Sequence, residues 1–367
     1  MQAIGSNAVV SWRNNGELTK VWAEDTGFQV KFEERGEKPA TPADIGFLWR
    51  ELRSNIPWNT LGRGIFVNKL SERIPICEKA GLYEALMKMY KGIRPIWLPQ
   101  TYVMPKDAKT LSSIIKRVGC SSWIVKPNGK NRGNGIAILD ATTLSRKLGT
   151  LEDRTVVQSY LAKPMLLEGR KFDMRMYLLV SCRAPFKAYF APGYVRRCVR
   201  PYSVPTNGMD ISIHLTNQSV QKAKCPEYNN DENVKDDSVW TVEQMIASSG
   251  KPDDWYRALL TKIEEMARAC ATCVKLGLKK ASPWKEFELF GFDVIVDDDE
   301  PLLLEVNTNP ALFTNTKTLH AVIPPVLREA LNIALGDNGL HESAALKYWK
   351  NIVHDSPSCF NPTPISC

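Results

Sequence analysis

Long apolar runs are missing from this chain. No window approaches the roughly eighteen uncharged apolar residues a membrane-spanning helix needs. The start, Met1 to Val10, lacks a basic region followed by an apolar core, so neither a membrane span nor a signal peptide is expected. The cysteines form no framework: nine, an odd number, lie scattered, which fits a reducing compartment. A lone C-x-x-C, Cys270 and Cys273, falls inside a helical pattern with no second pair nearby and reads as helix packing before zinc or redox chemistry. Cys367 lacks a prenylation context and reads as a free thiol. Histidine is scarce, and His214, with no other histidine near it in sequence, reads as a hydrogen-bonded structural residue rather than a ligand. No RRM, zinc-finger or helix-turn-helix signature is present, so nucleic acid is not an expected partner. There is no internal repeat.

What is present is the composition of a soluble globular chain, 44% apolar and 24% charged, long enough for two or three domains. A net charge of +8 permits an acidic partner without selecting one. The stretch that organises the reading is Phe287 to Asn309, two apolar runs flanking the acidic tetrad Asp297 to Glu300, the pattern of a strand, a turn and a returning strand. With a loop over Asp298 to Glu300, Asp293 sits opposite Glu305, and Asn307 points to the same face. A four-residue loop breaks that parity, so the pairing needs the shorter loop or a bulge. Two carboxylates and an amide oxygen on one face of an apolar sheet call for a cation, and hard oxygens suit magnesium.

A second segment, K-P-N-G-K-N-R-G-N-G, follows the short strand Trp123 to Val125. Gly129, Gly133 and Gly135 beside Lys126, Lys130 and Arg132 fit a phosphate loop, but taken alone they fit an exposed basic hairpin turn better. The segment is neither a Walker A loop nor a dinucleotide fingerprint. Arg170 to Val180 alternates as a strand, with Lys171, Asp173 and Arg175 on one face and Phe172, Met174 and Met176 on the other. That charged face is either solvated or the lining of a phosphate site. Arg196, Arg197 and Arg200 together suggest a nearby anion. Helices are expected over Glu78 to Tyr90, Lys106 to Val118, from a capping box at Thr241 and Gln244, from Asp253 or Asp254, and over Leu319 to Leu335 with an interruption at Pro324-Pro325. V-W-A-E-D and F-Q-V-K-F read as short strands, Phe47 to Leu52 as a helical turn or two, Lys224 to Asp237 as a loop, and the residues after Ala345 as a tail.

Together these motifs resemble the tubulin–tyrosine ligase-like family of ATP-grasp amino-acid ligases. The resemblance runs from about Trp123 to Leu335 through W-I-V-K-P, R-G-x-G-I, Q-x-Y, K-F-D-x-R, H-L-T-N, F-E-L-x-G-x-D and L-L-E-V-N-x-N-P. It implies an α+β ATP-grasp fold that holds its nucleotide between two lobes containing antiparallel sheets, with a small N-terminal domain. The corresponding division is 1–60 (N-terminal domain), 61–165 (central lobe with the glycine loop), 166–345 (C-terminal lobe with metal and amino-acid site) and 346–367 (tail). For ATP the family motifs imply Lys126, Arg132, Gly133, Gln158, Ser159, Tyr160, Leu161, Lys171, Phe172, Asp173, Thr216 and Asn217. For Mg2+ they imply Asp293, Glu305 and Asn307, the same trio the hairpin selects. Arg196, ahead of Pro201-Tyr202, is the implied clamp on the amino-acid carboxylate. Arg196, Lys171, Arg175 and Glu305 form the implied catalytic set, and Arg132, Arg196, Gln218, Ser219 and Thr308 the substrate contacts.

Glutamylating members typically carry a tyrosine after H-L-T-N, where this chain has Gln218, and the chain is most similar to the polyglycylase branch. The resemblance therefore implies transfer of free glycine, with glutamate as the alternative, through an acyl phosphate. The implied acceptors are acidic tubulin tails or microtubules and other acidic proteins, and the implied setting is the cytoplasm, the cytoskeleton and the axoneme of cilia or flagella. A monomer with no nucleic-acid or membrane partner is expected. The competing readings are a glutamate ligase on the same scaffold, a tail-binding pseudoenzyme, and a small-molecule ATP-grasp ligase.

Overall fold

A computed structural model describes residues 7–11, 16–34, 45–118, 122–130, 133–182, 185–205, 210–252, 254–278, 281–336 and 346–353. The chain opens with β1 (Asn7–Ser11), α1 (Gly16–Asp25), β2 (Gln29–Glu33), β3 (Ile45–Trp49) and β4 (Phe66–Val67). β1 pairs in parallel with β2 and β3, and β3 with β4. Two expectations fail here. V-W-A-E-D lies in α1, because Thr19, Trp22 and Ala23 recur at helical spacing and are all buried. Phe47 to Trp49 belongs to a strand in which every residue is buried, and a short, continuously apolar run carries no period to distinguish the two.

Next come α2 (Lys79–Met89), β5 (Thr101–Val103), α3 (Ala108–Val118), β6 (Ser122–Lys126), β7 (Ala137–Asp140), α4 (Ala141–Lys147) and β8 (Val156–Ser159). The four strands form an antiparallel sheet in the order β5-β8-β6-β7. Leu111, Ile115 and Leu144 from its two helices pack on Trp123, Val125 and Val157. Asp140 starts α4 by accepting the backbone N–H of Thr143.

The remaining elements are β9 (Leu166–Leu167), β10 (Arg170–Ser181), β11 (Lys187–Arg197), α5 (Gln218–Lys224), α6 (Pro226–Asn230), α7 (Glu232–Asp237), β12 (Val239–Trp240), α8 (Val242–Ser249), α9 (Trp255–Gly277), β13 (Lys285–Asp297), β14 (Glu300–Asn307), α10 (Lys317–Leu335) and β15 (Lys350–Asn351). The large sheet runs β12-β11-β10-β13-β4-β3-β1-β2, so the N-terminal strands continue the sheet that carries β10 and β13. Both its faces are covered. Met174, Met176, Leu178 and Val180 of β10 pack with α9 and α2, while Tyr177 and Leu179 pack with α1 and α10. The second face is therefore apolar along the C-terminal half of β10 and ionic along its first turns, where Lys171, Asp173 and Arg175 emerge buried rather than solvated.

The central hairpin reaches its expected pairing by a different route. Asp297 pairs with Glu300 across a two-residue turn, Asp298-Asp299, both at positive φ (48° and 61°), the backbone of a type I′ turn. A bulge between Asp293 and Val294 then shifts the register by one, and Asp293 faces Glu305. Lys224 to Asp237, expected as a loop, holds the end of α5 together with α6 and α7; Pro226 occupies the first turn of α6 and Asp231 caps α7. The Thr241–Gln244 capping box forms as read. α10 runs unbroken through Pro324-Pro325. The carbonyls those prolines leave without a donor are those of His320 and Ala321, both exposed and open to water. Residues 346–353 are not a free tail: Trp349 donates its indole N–H to Val326 O at 2.9 Å, and β15 pairs with β11.

Candidate active site

A cleft opens between the four-stranded sheet and the ionic end of the large one, lined from both by Lys126, Gly133, Gln158, Ser159, Tyr160, Leu161, Lys171, Asp173, Arg196, Thr216, Asn217, Asp293, Glu305 and Asn307. On one wall Lys126, at the end of β6, donates to Gln158 Oε1 at 2.7 Å, and Gln158 is held by its own donation to Thr101 Oγ1 at 2.7 Å. On the other, Lys171 donates to the Tyr160 hydroxyl at 2.9 Å with its ammonium 4.5 Å from the ring centre. The Tyr160 hydroxyl is also hydrogen-bonded to His214 Nδ1, 2.8 Å away. Burial and the charge of Lys171 push His214 down to about 4, so it is neutral at physiological pH and structural, as read. Phe172, grouped with the nucleotide by its motif, also lines the cleft while its side chain packs in the apolar core beneath α9. Arg132 lies outside the described residues. Gly133 sits at φ +77°, where a Cβ would meet Val220 Cγ2 at 2.6 Å, so the loop rests directly on α5.

The deepest part is an ionic lattice written in strand register. Asp173 faces Arg196 across β10 and β11, Arg175 faces Asp293 across β10 and β13, and Asp293 faces Glu305 across β13 and β14. Arg196 donates to Asp173 at 2.7 and 2.6 Å and to Asp293 Oδ2 at 2.9 Å. Arg175 holds Asp293 at 2.5 and 3.1 Å, and the Thr216 hydroxyl donates to Asp173 at 2.6 Å. Burial opposes the charge of Asp293, but the two guanidiniums outweigh it and keep the carboxyl well below its usual range. Both arginines are gripped through Nε and Nη2, and Arg196, which lines the cleft, keeps its Nη1 outside these bonds. Arg197 and Arg200 do not join this anion site. Arg197 stacks 3.5 Å from the Trp240 ring centre and pairs with Glu168 and Asp237, while Arg200 pairs with Glu227 and Asp210.

Glu305 is different. Burial, then the charge of Asp293, pushes its carboxyl up, and among the described residues it has no ion-pair partner within 4 Å. Asn307 donates Nδ2 to Glu305 at 3.1 Å and to Asp293 at 3.4 Å, leaving its Oδ1 as a third oxygen. A half-buried carboxylate with no ion-pair partner within 4 Å among the described residues, beside a second carboxylate and an amide oxygen, fits a hard divalent cation. Among the described residues no group of three or more His, Cys, Asp or Glu side chains suits a metal, because the third donor here is an amide.

Two lysines went unread in the sequence. Lys79, at the start of α2, lines the cleft and donates to Lys130 O at 2.7 Å, bringing a cation to the glycine loop. Lys69 is buried and donates to Glu288 at 3.2 Å and to Thr308 O at 2.5 Å, anchoring the chain just after Asn307. Neither stands in a motif; both come from outside the segment that carries the resemblance. Ser219 and Thr308 lie exposed at the outer edge of the site, and Gln218 opens α5 with a buried Nε2 that has no partner among the described residues. Cys270 and Cys273 are packed in α9, their thiols pushed up by burial, Cys273 to about 12.

Burial pushes both Lys126 and Lys171 down to about 8. A polyphosphate binds the charged forms, so nucleotide affinity is expected to hold steady below pH 8 and to weaken as pH rises through it, by titration calorimetry. Lys171→Arg, which does not lose its charge in that range, should make the fall shallower and leave the part due to Lys126.

The tubulin-tyrosine ligase family profile matches residues 62–340. The chain is 37% identical over 240 residues to a protein polyglycylase, TTLL10, of Macaca fascicularis, a match covering 58% of this chain and 38% of that protein. It is 34% identical over 240 residues to the inactive polyglycylase TTLL10 of Homo sapiens, covering 58% and 34%. It is 32% identical over 254 residues to the tubulin monoglutamylase TTLL4 of Mus musculus, covering 65% and 20%. The chain thus spans between a fifth and two fifths of the length of these relatives.

Proposed function

Because the chain belongs to the tubulin-tyrosine ligase family, whose ATP-grasp arrangement its two facing sheets share, we propose that it is an ATP-dependent ligase joining an amino acid to glutamate side chains of acidic protein tails. The donor amino acid in this reading is glycine and the acceptor a tubulin tail or similar acidic protein, in the cytoplasm and at the cytoskeleton, including cilia. The observation that carries it is the convergence of four strands on one point, where a cation-seeking trio, two locked arginines and two lysines with lowered pKa meet. Gln218, in place of the tyrosine of glutamylating members, is compatible with glycine, which has no side chain that needs room or a countercharge.

When bound, ATP with Mg2+ would supply a phosphoryl group to the acceptor carboxylate, leaving ADP, and the amine of the incoming amino acid would then attack the acyl carbon, forming the amide bond and releasing phosphate. Asp293, Glu305 and Asn307 would hold the metal. Lys126, Lys171 and Lys79 offset phosphate charge from fixed positions. Arg196 presents Nη1 to the amino-acid carboxylate while Asp173 and Asp293 fix its plane, so the amine stays free. No cysteine or serine is needed as a nucleophile.

The test offers purified protein ATP, magnesium and labelled glycine or glutamate with a tubulin-tail peptide, followed by mass spectrometry. Added masses in glycine steps are expected; steps of glutamate mass alone would sink the glycine assignment. That a relative 34% identical is an inactive polyglycylase favours one further reading, a tail-binding protein without transfer. Peptide binding with no mass added from either amino acid would establish it.

A further inference from the structure

Asn307 stands at a strand end. It is the last residue of β14, paired with Gly291 of β13, and residues 308–315 beyond it belong to no helix or strand. Asp293 is paired on both sides and Glu305 lies two residues inside the strand, whereas Asn307 depends on whatever holds the chain past the sheet. We infer that Lys69 is a positioning residue for the metal: it reaches to the Thr308 carbonyl, 239 positions downstream, and fixes the backbone that presents Asn307 Oδ1. The inference rests on the metal trio of the ligase reading above and adds to it a residue that does not touch the metal itself.

A tether for the N-terminal strands does not account for this contact. The segment after β4 is already tied to β13 by two backbone donors, Leu70 N–H to Glu288 Oε2 at 3.2 Å and Ser71 N–H to Glu286 Oε2 at 3.1 Å. What the Lys69 ammonium adds is its reach past Glu288 Oε1, at 3.2 Å, to Thr308 O at 2.5 Å. Lys69 and Glu288 are both buried, and burial pushes the Glu288 carboxyl up while Lys69 opposes the shift. A buried pair of this kind contributes little net stability. It does confer position, because a charged donor holds a carbonyl more strongly than a neutral one and its two acceptors lie on different elements, Glu288 within β13 and Thr308 past β14. Two contacts follow further out: Asn309 Nδ2 donates to Glu51 at 3.3 Å, and Pro310 closes on Gly291, where a Cβ would meet Pro310 Cβ at 2.9 Å. Lys69 acts nearest to Asn307, on the adjoining residue. Partners that orient a metal ligand in this way typically account for about 10–100-fold in metal affinity.

The experiment follows manganese(II) binding to the nucleotide-free protein by loss of the free-ion EPR signal, with the trio's share defined as the binding that Glu305→Gln removes. Lys69→Met alone would strand the Glu288 carboxylate, so the test variant combines Lys69→Met with Glu288→Gln and removes both charges together. It is expected to fold and to bind manganese about tenfold more weakly or worse, with a matching rise in the magnesium needed for transfer. Glu288→Gln alone leaves the ammonium on Thr308 O and should bind manganese as the wild type does, and Lys69→Arg, which keeps a charged donor, should retain most of the affinity. In an Asn307→Ala background the combined change should weaken binding no further, because its effect passes through Asn307. A folded combined variant with wild-type affinity overturns the inference, as do an equal loss from Glu288→Gln alone and full additivity with Asn307→Ala. Lys69→Gln with Glu288→Gln, a shorter and neutral donor, is read by the same criteria if the methionine variant does not fold. Wild-type protein that binds manganese but transfers no amino acid fails the ligase reading alone, and the affinities then decide the inference by the same pattern. Wild-type protein that loses no manganese on Glu305→Gln overturns the trio and the inference together.

Discussion

Glu305→Gln is expected to reduce amino-acid transfer by about a thousandfold or more while leaving the fold intact. The two halves of that result have one cause. The half-buried Glu305 carboxylate is pushed up by burial and by Asp293, the Asn307 hydrogen bond and the charges of Lys79 and Lys126 offset this only in part, and it forms no ion pair within 4 Å among the described residues. In the protein alone its charge is a cost, so replacing it with a neutral isostere should leave the melting temperature unchanged or raise it slightly. With magnesium and ATP present the carboxylate would gain its counterion, and the variant should lose both the transfer and most of the thermal shift that Mg-ATP gives the wild type. Scanning calorimetry with and without Mg-ATP, beside initial rates, reads both. Undiminished transfer in a folded variant would show that the trio does not hold the metal.

Asp293→Ala should act in the opposite sense on stability. This side chain is the only acceptor the described residues give Arg175 at 2.5 and 3.1 Å, and it shares Arg196 with Asp173. Removing it strands one buried guanidinium entirely and half-strands another, and breaking a buried pair of this kind costs about 3–5 kcal/mol. Denaturant unfolding should show it as a lower midpoint at unchanged slope. The acid limb supplies a second check. A carboxyl held below its unfolded value contributes stability at pH above the ordinary Asp range, and that stability is lost as pH falls through the depressed native value. Wild type should therefore lose stability on acidification more steeply than the variant. Equal midpoints and equal acid limbs would mean that the arginines are satisfied elsewhere.

The two experiments separate roles that the strand pattern alone had merged. Asp293, Glu305 and Asn307 were legible as a group because side chains in a strand alternate, and three polar positions of one parity in an apolar hairpin stand out without any knowledge of the fold. Their inequality was not legible. Asp293 is tied to two arginines and Glu305 to none, a distinction set by residues 118 and 97 positions upstream of Asp293, in β10 and β11. The same limit explains the arginines: Arg196, Arg197 and Arg200 look alike in sequence, yet only Arg196 has the parity and register that turn it toward Asp173 and Asp293. Lys69 and Lys79 were invisible because a single lysine in an unremarkable segment carries no period and no motif.

Elements behaved likewise. α3, α9 and α10 were readable because an amphipathic period persists over several turns, and the Thr241–Gln244 box because its two partners are local. β3 and α1 were misread where the run was too short for its period to show.

By itself, then, the sequence determined the family, the glycine loop, the polar trio and the paired strands that carry it, all of them patterns contained within a few consecutive residues. The tertiary structure alone decided that the hairpin reaches its register through a two-residue turn and a bulge, that the charged face of β10 is buried, and that Asp293 receives two guanidiniums while Glu305 receives none. The physical reason is common to all three. Strand register and sheet order bring distant residues within hydrogen-bonding reach, and no local pattern records which distant strand will arrive opposite.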